Sequence, residues 1–326
     1  MTEPALLAVD VGGTRARFGL FDADGVCLRR EELATGAFAD GGALLQAGID
    51  ALRAPPVPLS VAAAGPREAD GVVRLTNRAA LRLDVRALTA QLGRPVQLWN
   101  DFVALAAGLT DPAEAEPGAA PELLGGTLPA PAGPRLVCGP GTGLGTALLR
   151  EDGSVLAAEG GHAGLAASTL LELELLRLLT ARFGRVSRER VLSGPGLVAL
   201  AAAFAELEGG PPTGDTAPAI VAAARSGDAG ARRVLDGFLG WLGATLGDLV
   251  LDTGARGGVL LAGGVAARLA PELLAESGRT HLRTRFEDKG PLASWLAPVP
   301  LWLVRDEDAG LRGAARLGLA ACAPPG

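Results

Sequence analysis

Lysine is almost missing from this sequence. Lys289, in the run Phe286-Glu287-Asp288-Lys289-Gly290, is the only one among 326 residues, so arginine carries nearly all of the basic charge. A Walker A loop sets a lysine directly after its glycines, and a protein-kinase fold sets one on its third strand. Lys289 has neither setting. If nucleotide phosphates are bound, backbone amides, a metal and arginine are the groups left to hold them. Cysteine is also sparse: Cys27, Cys138 and Cys322 are widely separated and odd in number, which excludes a disulfide framework and a zinc-ligand cluster. Basic excess is absent too. A net charge of −6 and a pI of about 5.2 argue against a nucleic-acid partner, because such proteins carry a basic footprint. An anionic substrate is left to local groups rather than to the global field. No uninterrupted apolar run reaches the roughly 18 residues of a membrane span. The segment Met1 to Leu7 has no basic stretch ahead of an apolar one, and Asp10 soon interrupts it, so no signal peptide is expected. These absences predict a reduced, cytoplasmic location without a membrane partner.

Apolar residues, by contrast, make up 48% of the chain, with a mean hydropathy of +0.29, enough for a large core. The length suits two α/β domains of roughly 100–200 residues each. Ala5 to Val11 reads as a buried strand, Gly12-Gly13-Thr14 turns it, and Ala16 to Phe21 returns. Asp24-Gly25 marks a second turn before Val26 to Leu33. Further strands are predicted at Val57 to Ala63, Val72 to Thr76 and Pro95 to Trp99, with a helix over Asp84 to Leu92. An antiparallel start followed by strand–helix alternation indicates mixed sheets.

From Asp111 to Pro134 the chain is rich in Ala, Pro and Gly and reads as a linker or surface excursion. A second meander follows. Arg135 to Cys138 is a strand, Gly139-Pro140-Gly141-Thr142-Gly143 a tight turn, and Leu144 to Arg150 the return, closed by Asp152-Gly153. The opening pattern thus occurs twice, which predicts two domains of related architecture. The second half is largely helical. Thr169 to Glu172 is a capping box ahead of a leucine-rich helix, Ser187 caps a short helix over Arg188 to Val191, and Asp228 caps one running toward Leu251. Gly258 to Ala262 is a strand, Gly263-Gly264 a turn, Leu301 to Val304 the last strand and Ala309 to Leu317 a terminal helix.

Five stretches can carry chemistry. In Asp10-Val11-Gly12-Gly13-Thr14, two glycines let a hairpin backbone approach a phosphate, and Asp10 can face a phosphate-bound Mg²⁺ through water; an ordinary hairpin turn explains the same glycines. Gly139 to Thr146 is a second Gly/Thr hairpin. It fails the dinucleotide fingerprint spacing at every glycine and leads into a strand, not a helix. Asn100-Asp101 stands where a strand ends and a helix begins. A carboxylate there can accept a hydroxyl proton while the amide fixes a neighbouring hydroxyl, or the pair simply caps the helix. Glu159-Gly160-Gly161-His162 sets one of the 2 histidines beside a carboxylate, and Glu189 follows in Ser187-Arg188-Glu189-Arg190. Two acceptors and a bifunctional imidazole suit a sugar, although a loop histidine and a surface glutamate are common without function. Ala262-Gly263-Gly264 offers a backbone surface for a nucleoside, or merely close strand–helix packing.

Taken together, these stretches resemble the bacterial ATP-dependent glucokinase family of the actin-like, sugar-kinase and chaperone ATPase superfamily. The resemblance is carried by LAVDVGGTRAR (Leu7 to Arg17), LWNDFVALA (Leu98 to Ala106), GPGTGLGTALL (Gly139 to Leu149), EGGHAGLA (Glu159 to Ala166), VSRERVLSGPGL (Val186 to Leu197), GGVLLAGGV (Gly257 to Val265) and RTRFEDKG (Arg283 to Gly290), in the family's order. It implies a two-domain actin-like ATPase (ribonuclease H-like) fold. Residues 1–110 would form a small α/β domain completed by a C-terminal helix over 306–326, and residues 111–305 a larger one. It implies ATP-dependent phosphorylation of glucose to glucose 6-phosphate, the first step of glycolysis, with Asp101 as catalytic base. Asn100, Asp101, Glu159, His162 and Glu189 would bind the sugar. Asp10, Gly12, Gly13, Thr14, Gly141, Thr142, Gly143, Gly263 and Gly264 would bind ATP, with Mg²⁺ on Asp10 through water. Family members commonly form homodimers. Two rivals stand beside this reading: a kinase for another hexose such as glucosamine or mannose, and a non-catalytic sugar-binding regulator. Arg15 departs from the pattern, since the family usually has Asn there; it either adds a phosphate contact or points into solvent. The cysteine-rich zinc motif of the related repressor/kinase family is absent from Ala163 to Ser168. With the first strand predicted within a few residues of Met1, an N-terminal helix-turn-helix is not expected.

Overall fold

The structure is a computed structural model that describes residues 3–65, 72–74, 81–109 and 120–322. The chain divides into two compact units. The first comprises residues 1–114, 153–157 and 306–326, and the second residues 115–152 and 158–305.

The first unit is built on the strands β1 (Leu6–Val11), β2 (Arg15–Phe21), β3 (Cys27–Ala34), β4 (Leu59–Ala63) and β7 (Val96–Asn100), in the order β3-β2-β1-β4-β7. β1 to β3 form an antiparallel meander, and β4 and β7 add in parallel. A separate two-stranded ribbon pairs β5 (Val72–Arg74) with β6 (Arg82–Asp84). The predicted strand Val72 to Thr76 is present over its described residues Val72–Arg74, and Leu75 and Thr76 lie outside the described residues.

β1 is central, so its apolar run is buried on both sides. Side-chain alternation divides it. Leu7, Val9 and Val11 pack with Leu44, Leu45 and Ile49 of the helix Gly41–Leu52. Leu6 and Ala8 pack with Ala104, Leu311 and Ala314 on the other face. Strand β3, at the edge, is almost wholly exposed and charged, which blunts it against pairing with other chains.

On that second face the helices Asp101–Gly108 and Ala309–Cys322 meet backbone to backbone. A Cβ on Gly313 would fall on the Ala104 carbonyl, and one on Gly108 would fall on the Ala309 carbonyl. Beneath them the buried Ser60 hydroxyl accepts from Trp99 Nε1 (2.9 Å) and donates to the Ala314 carbonyl (2.6 Å). The C-terminal helix is thereby pinned to β4 and β7.

The second sheet contains β8 (Glu122–Gly125), β9 (Arg135–Pro140), β10 (Leu144–Leu149), β11 (Val155–Ala158), β12 (Gly258–Leu261) and β13 (Leu301–Leu303), in the order β11-β10-β9-β12-β13-β8, and all of it but the first three residues of β11 belongs to the second unit. β9 and β10 are antiparallel, and β12 runs parallel to β9 and β13. The central arrangement repeats that of the first sheet: hairpin partner, first strand, then parallel strands outward. The predicted excursion over Asp111 to Pro134 needs correction, because it contains β8, antiparallel to β13. Glycine and proline around a 4-residue strand hid it. The part of that stretch up to Ala119 lies outside the described residues.

Helices supply the rest of the second core. Thr169 does form the capping box, and Ser187 and Asp228 cap their helices as expected. The helix Ala229–Thr253 also corrects the expectation about membrane spans. It is long and apolar enough to cross a bilayer by length and composition, but 78% of the qualifying window is buried inside the protein. Its Phe238, Trp241, Leu242 and Leu246 lie in the core, which accounts for its apolarity.

The glycine contact between the helices Asp101–Gly108 and Ala309–Cys322 leaves no room for a methyl group. Gly313→Ala is expected to lower stability by about 2 kcal/mol or more, as overpacking does, read as a fall in the urea midpoint. An unchanged midpoint would show that the two helices can separate freely.

Candidate active site

The first unit presents its candidate residues at the carboxyl ends of β1 and β7, where α/β proteins place ligands. Gly12-Gly13-Thr14 joins β1 to β2, and the Gly12 N–H closes the turn on the Arg15 carbonyl at 2.9 Å. The buried Thr35 holds this turn from behind. Its hydroxyl donates to the Gly13 carbonyl (2.9 Å) and its N–H to the Thr14 carbonyl (3.1 Å). A trans peptide points its C=O and the next N–H in opposite directions, so fixing the Gly13 carbonyl turns the Thr14 N–H away from Thr35. Such an outward amide, on an exposed residue, is what a phosphate oxygen needs.

Asp10 lies one residue before the end of β1, its side chain 18% exposed and its Oδ2 3.5 Å from an Arg17 nitrogen. Burial pushes its carboxyl above the ordinary value of 3.8; the charge and hydrogen bond of Arg17 oppose this, and Asp308 adds to it. Arg17 also reaches Glu307 (2.8 Å) and Glu32 (3.4 Å), and Glu32 binds Arg15 at 3.0 Å. Arg15 is thus tied to a carboxylate while remaining 57% exposed. The first turn of the helix Ala309–Cys322 comes against Asp10, where a Cβ on Gly310 would stand 3.0 Å from Oδ2.

Among the described residues no group of three or more His, Cys, Asp or Glu could hold a metal ion. The described residues therefore offer no dedicated protein cage. One largely buried carboxylate beside glycine amides fits a different arrangement, in which Mg²⁺ takes most of its oxygens from phosphates and water.

Asn100 and Asp101 straddle the junction of β7 with its helix. Asn100 is the N-cap, its Oδ1 accepting from the N–H groups of Phe102 (2.9 Å) and Val103 (3.2 Å). The capping reading is correct for Asn100, and it commits the side-chain oxygen while the amide nitrogen remains the end that can meet a hydroxyl. Asp101 occupies the first helical position and is half-buried.

The second unit gathers its candidates around β9, β10 and the loop after β11. Gly141 closes its turn on the Gly143 carbonyl (2.7 Å), and its own carbonyl accepts from the Gly194 N–H (2.8 Å). Thr142 is exposed at the tip, and a Cβ on Gly141 would meet only open space. The Glu189 carboxylate accepts from the Leu144 N–H at 2.9 Å and fills the place a Gly143 side chain would take. The helix-surface reading of Glu189 is therefore incomplete, since the residue reaches across 45 positions to brace the turn. Next to the turn, the Ala262 N–H donates to the Cys138 carbonyl (2.9 Å). Gly263, at φ +90°, admits the Pro140 carbonyl where a Cβ would stand 2.7 Å away. Gly264 faces open space and starts a short helix.

Glu159 immediately precedes, and His162 ends, the one-turn 3₁₀ segment Gly160–His162. His162 Nε2 lies 3.8 Å from Glu159 Oε2, with both side chains more than half exposed. The segment is fastened to the Glu189 helix: the Arg188 N–H donates to the Ala163 carbonyl (2.9 Å), and Arg185 donates to the His162 carbonyl (2.9 Å). Glu159, His162 and Glu189 thus share one braced assembly, and the hairpin Gly141 to Gly143 is part of it. Sequence reading assigned nothing to Thr35, Arg17, Gly194 or Gly310. Only Thr35 had a local signal, as a polar residue between an edge strand and a helix, and that signal points equally to a turn.

The model of the Glucokinase family matches residues 7–320. This chain belongs to that family. A glucokinase of Chromohalobacter salexigens is 39% identical over 327 residues, covering 96% of this chain and 97% of the relative. The crystal structure of a glucokinase from an Antarctic psychrotroph is 30% identical, with a TM-score of 0.78 over 96% of this chain and 98% of that one. A ROK family glucokinase from Streptomyces griseus, solved in complex with glucose and AMPPNP, superposes with a TM-score of 0.62 at 24% identity, over 96% and 98% of the two chains. The fold is therefore the mixed α/β, actin-like ATPase fold of these sugar kinases. The glucokinase match runs from before Asp10 to beyond Gly264 and so includes every candidate residue named above.

Asp10 supplies a test through its proton. Because its native pKa lies above the ordinary value, its contribution to stability is full below that value and is lost as pH rises through the native one. Asp10→Asn keeps the shape without the buried charge. Its melting temperature relative to the unmodified protein is expected to rise between about pH 4 and neutrality. A difference that stays flat, or falls, across that range would refute the assignment.

Proposed function

We propose that this protein phosphorylates the 6-hydroxyl of D-glucose with ATP, giving glucose 6-phosphate. Membership of the glucokinase family supports the reaction, and one structural observation supports the sugar site. Glu159, His162 and Glu189, scattered in the sequence, are braced together by hydrogen bonds beside a glycine hairpin. Two carboxylates and an imidazole provide acceptors and a donor for ring hydroxyls. Asn100 adds an amide nitrogen, because its oxygen is occupied in capping.

Asp101 is the catalytic base in this reading. A half-buried carboxylate at the start of a helix can orient an alcohol for in-line attack and take its proton as the phosphoryl group arrives. Phosphoryl transfer needs little covalent help beyond positioning and charge stabilisation. Gly12, Gly13 and Thr14, and Gly141, Thr142 and Gly143, bind ATP phosphates by main-chain amides in this reading. Gly263 and Gly264 lie under the nucleoside. Mg²⁺, held by Asp10 through water and by the phosphates, would neutralise charge on the transferred group. The functional domains are residues 1–110 with 306–326, and 111–305. Work in the cytoplasm as a homodimer completes the proposal: three free cysteines fit a reducing compartment, and the family resemblance suggests the dimer.

Asp101→Asn is expected to lower kcat by about 10²–10⁴-fold, the usual share of a general base, while glucose still binds by calorimetry. Wild-type turnover in that variant would remove Asp101 from the role. A coupled ADP-release assay across glucose, glucosamine and mannose, with a sugar-free control, should be fastest with glucose and slowest without sugar. Release that does not depend on sugar would point to an ATPase instead.

A further inference from the structure

Thr146 lies on β10 and is only 2% exposed, a polar residue inside the fold. The hydroxyl makes two bonds. It donates to the Ala158 carbonyl (3.0 Å) and accepts from the Gly160 N–H (2.9 Å). These are the residues on either side of Glu159. One buried hydroxyl therefore grips the chain before and after the first sugar-loop carboxylate, and both of its hydrogen-bonding directions are used. Gly160 permits the approach, since a Cβ there would stand 3.2 Å from Thr146 Oγ1 and 2.9 Å from Leu249. The Glu159 carbonyl in turn accepts from the His162 N–H (3.0 Å), which carries the constraint to the imidazole.

Glu159 is 65% exposed at its side chain, and among the described residues its one ion-pair approach is that of His162 at 3.8 Å. Its backbone, at φ −114° and ψ 38°, belongs to neither helix nor strand. Regular structure does not fix its direction, so something else must. We propose that Thr146 is a positioning residue for sugar binding, setting the direction of the Glu159 carboxylate and, through it, of His162. The proposal rests on the reading of Glu159 as a sugar ligand. Thr146 touches no reacting atom; it acts by holding the peptide groups that flank one ligand.

The test separates the hydroxyl from the volume. Thr146→Val keeps the shape and removes both bonds, and Thr146→Ser keeps the hydroxyl. The valine variant is expected to raise the KM for glucose, and the glucose Kd by calorimetry, about 10- to 100-fold, as misplacement of a binding group does. The KM for ATP should stay at its original value, and the serine variant should return the glucose KM to near the original. A purely structural role would lower the melting temperature without this split between the two substrates, and that result would overturn the proposal. If the valine variant does not fold, Thr146→Ala carries the same comparison. Glu159→Gln is the control on the underlying reading. A raised glucose KM in Glu159→Gln, with an unchanged one in Thr146→Val, would refute the positioning role alone. An unchanged glucose KM in Glu159→Gln would refute the sugar-ligand reading, and the proposal with it.

Discussion

A glycine turn has no side chain to pack, so its shape depends on what its peptide groups are bonded to. That constraint governs this protein, whose candidate phosphate and sugar segments are nearly all glycine turns. Each is set by a polar group brought from elsewhere in the chain. Thr35 holds the carbonyls of Gly13 and Thr14, Glu189 holds the N–H that follows Gly143, the Gly194 N–H holds the Gly141 carbonyl, and Thr146 holds both neighbours of Glu159. The amides that remain are pre-oriented, so for the proposed phosphate contacts their alignment need not be established on binding. A turn without such anchors would lose that entropy at every binding event.

The same absence of side chains serves packing. The helix that begins at Asp101 lies against the C-terminal helix with carbonyl oxygens where Gly108 and Gly313 would carry Cβ atoms. Ser60 and Trp99 lock that layer to β4 and β7 by hydrogen bonds. The strand that delivers Asn100 and the helix that presents Asp101 are thus held from two directions. Buried charge is confined by a comparable economy. Asp10 is opposed by Arg17, which is itself shared with Glu32 and Glu307, so the guanidinium is spread over several carboxylates. Cys138, buried beside the second hairpin, has its thiol pushed up to about 12 by desolvation and stays un-ionised at neutral pH.

Most strands and the capped helices were legible before any coordinates, because their signals are local. Asp-Gly and Gly-Gly-Thr turns, a capping box at Thr169 and single-residue caps at Ser187 and Asp228 each lie within a few residues of what they control. Two features misled. The Pro/Gly-rich stretch before Arg135 conceals β8, which owes its strand conformation to pairing with β13 rather than to its own composition. The uninterrupted-run criterion passed over the helix Ala229–Thr253, where scattered glycines and a few charges break an apolarity that comes from burial in the second core.

The order of the motifs along the chain was enough to identify the family and its fold, since side-chain alternation, turn chemistry and short signatures act over a few residues. Which peptide groups those motifs turn outward was not readable there. That depends on contacts such as Glu189 with Leu144, or Thr35 with Gly13, made across 45 and 22 positions. Distances of that kind exist only once the sheets have assembled and brought a polar side chain to a carbonyl or amide that has no local partner.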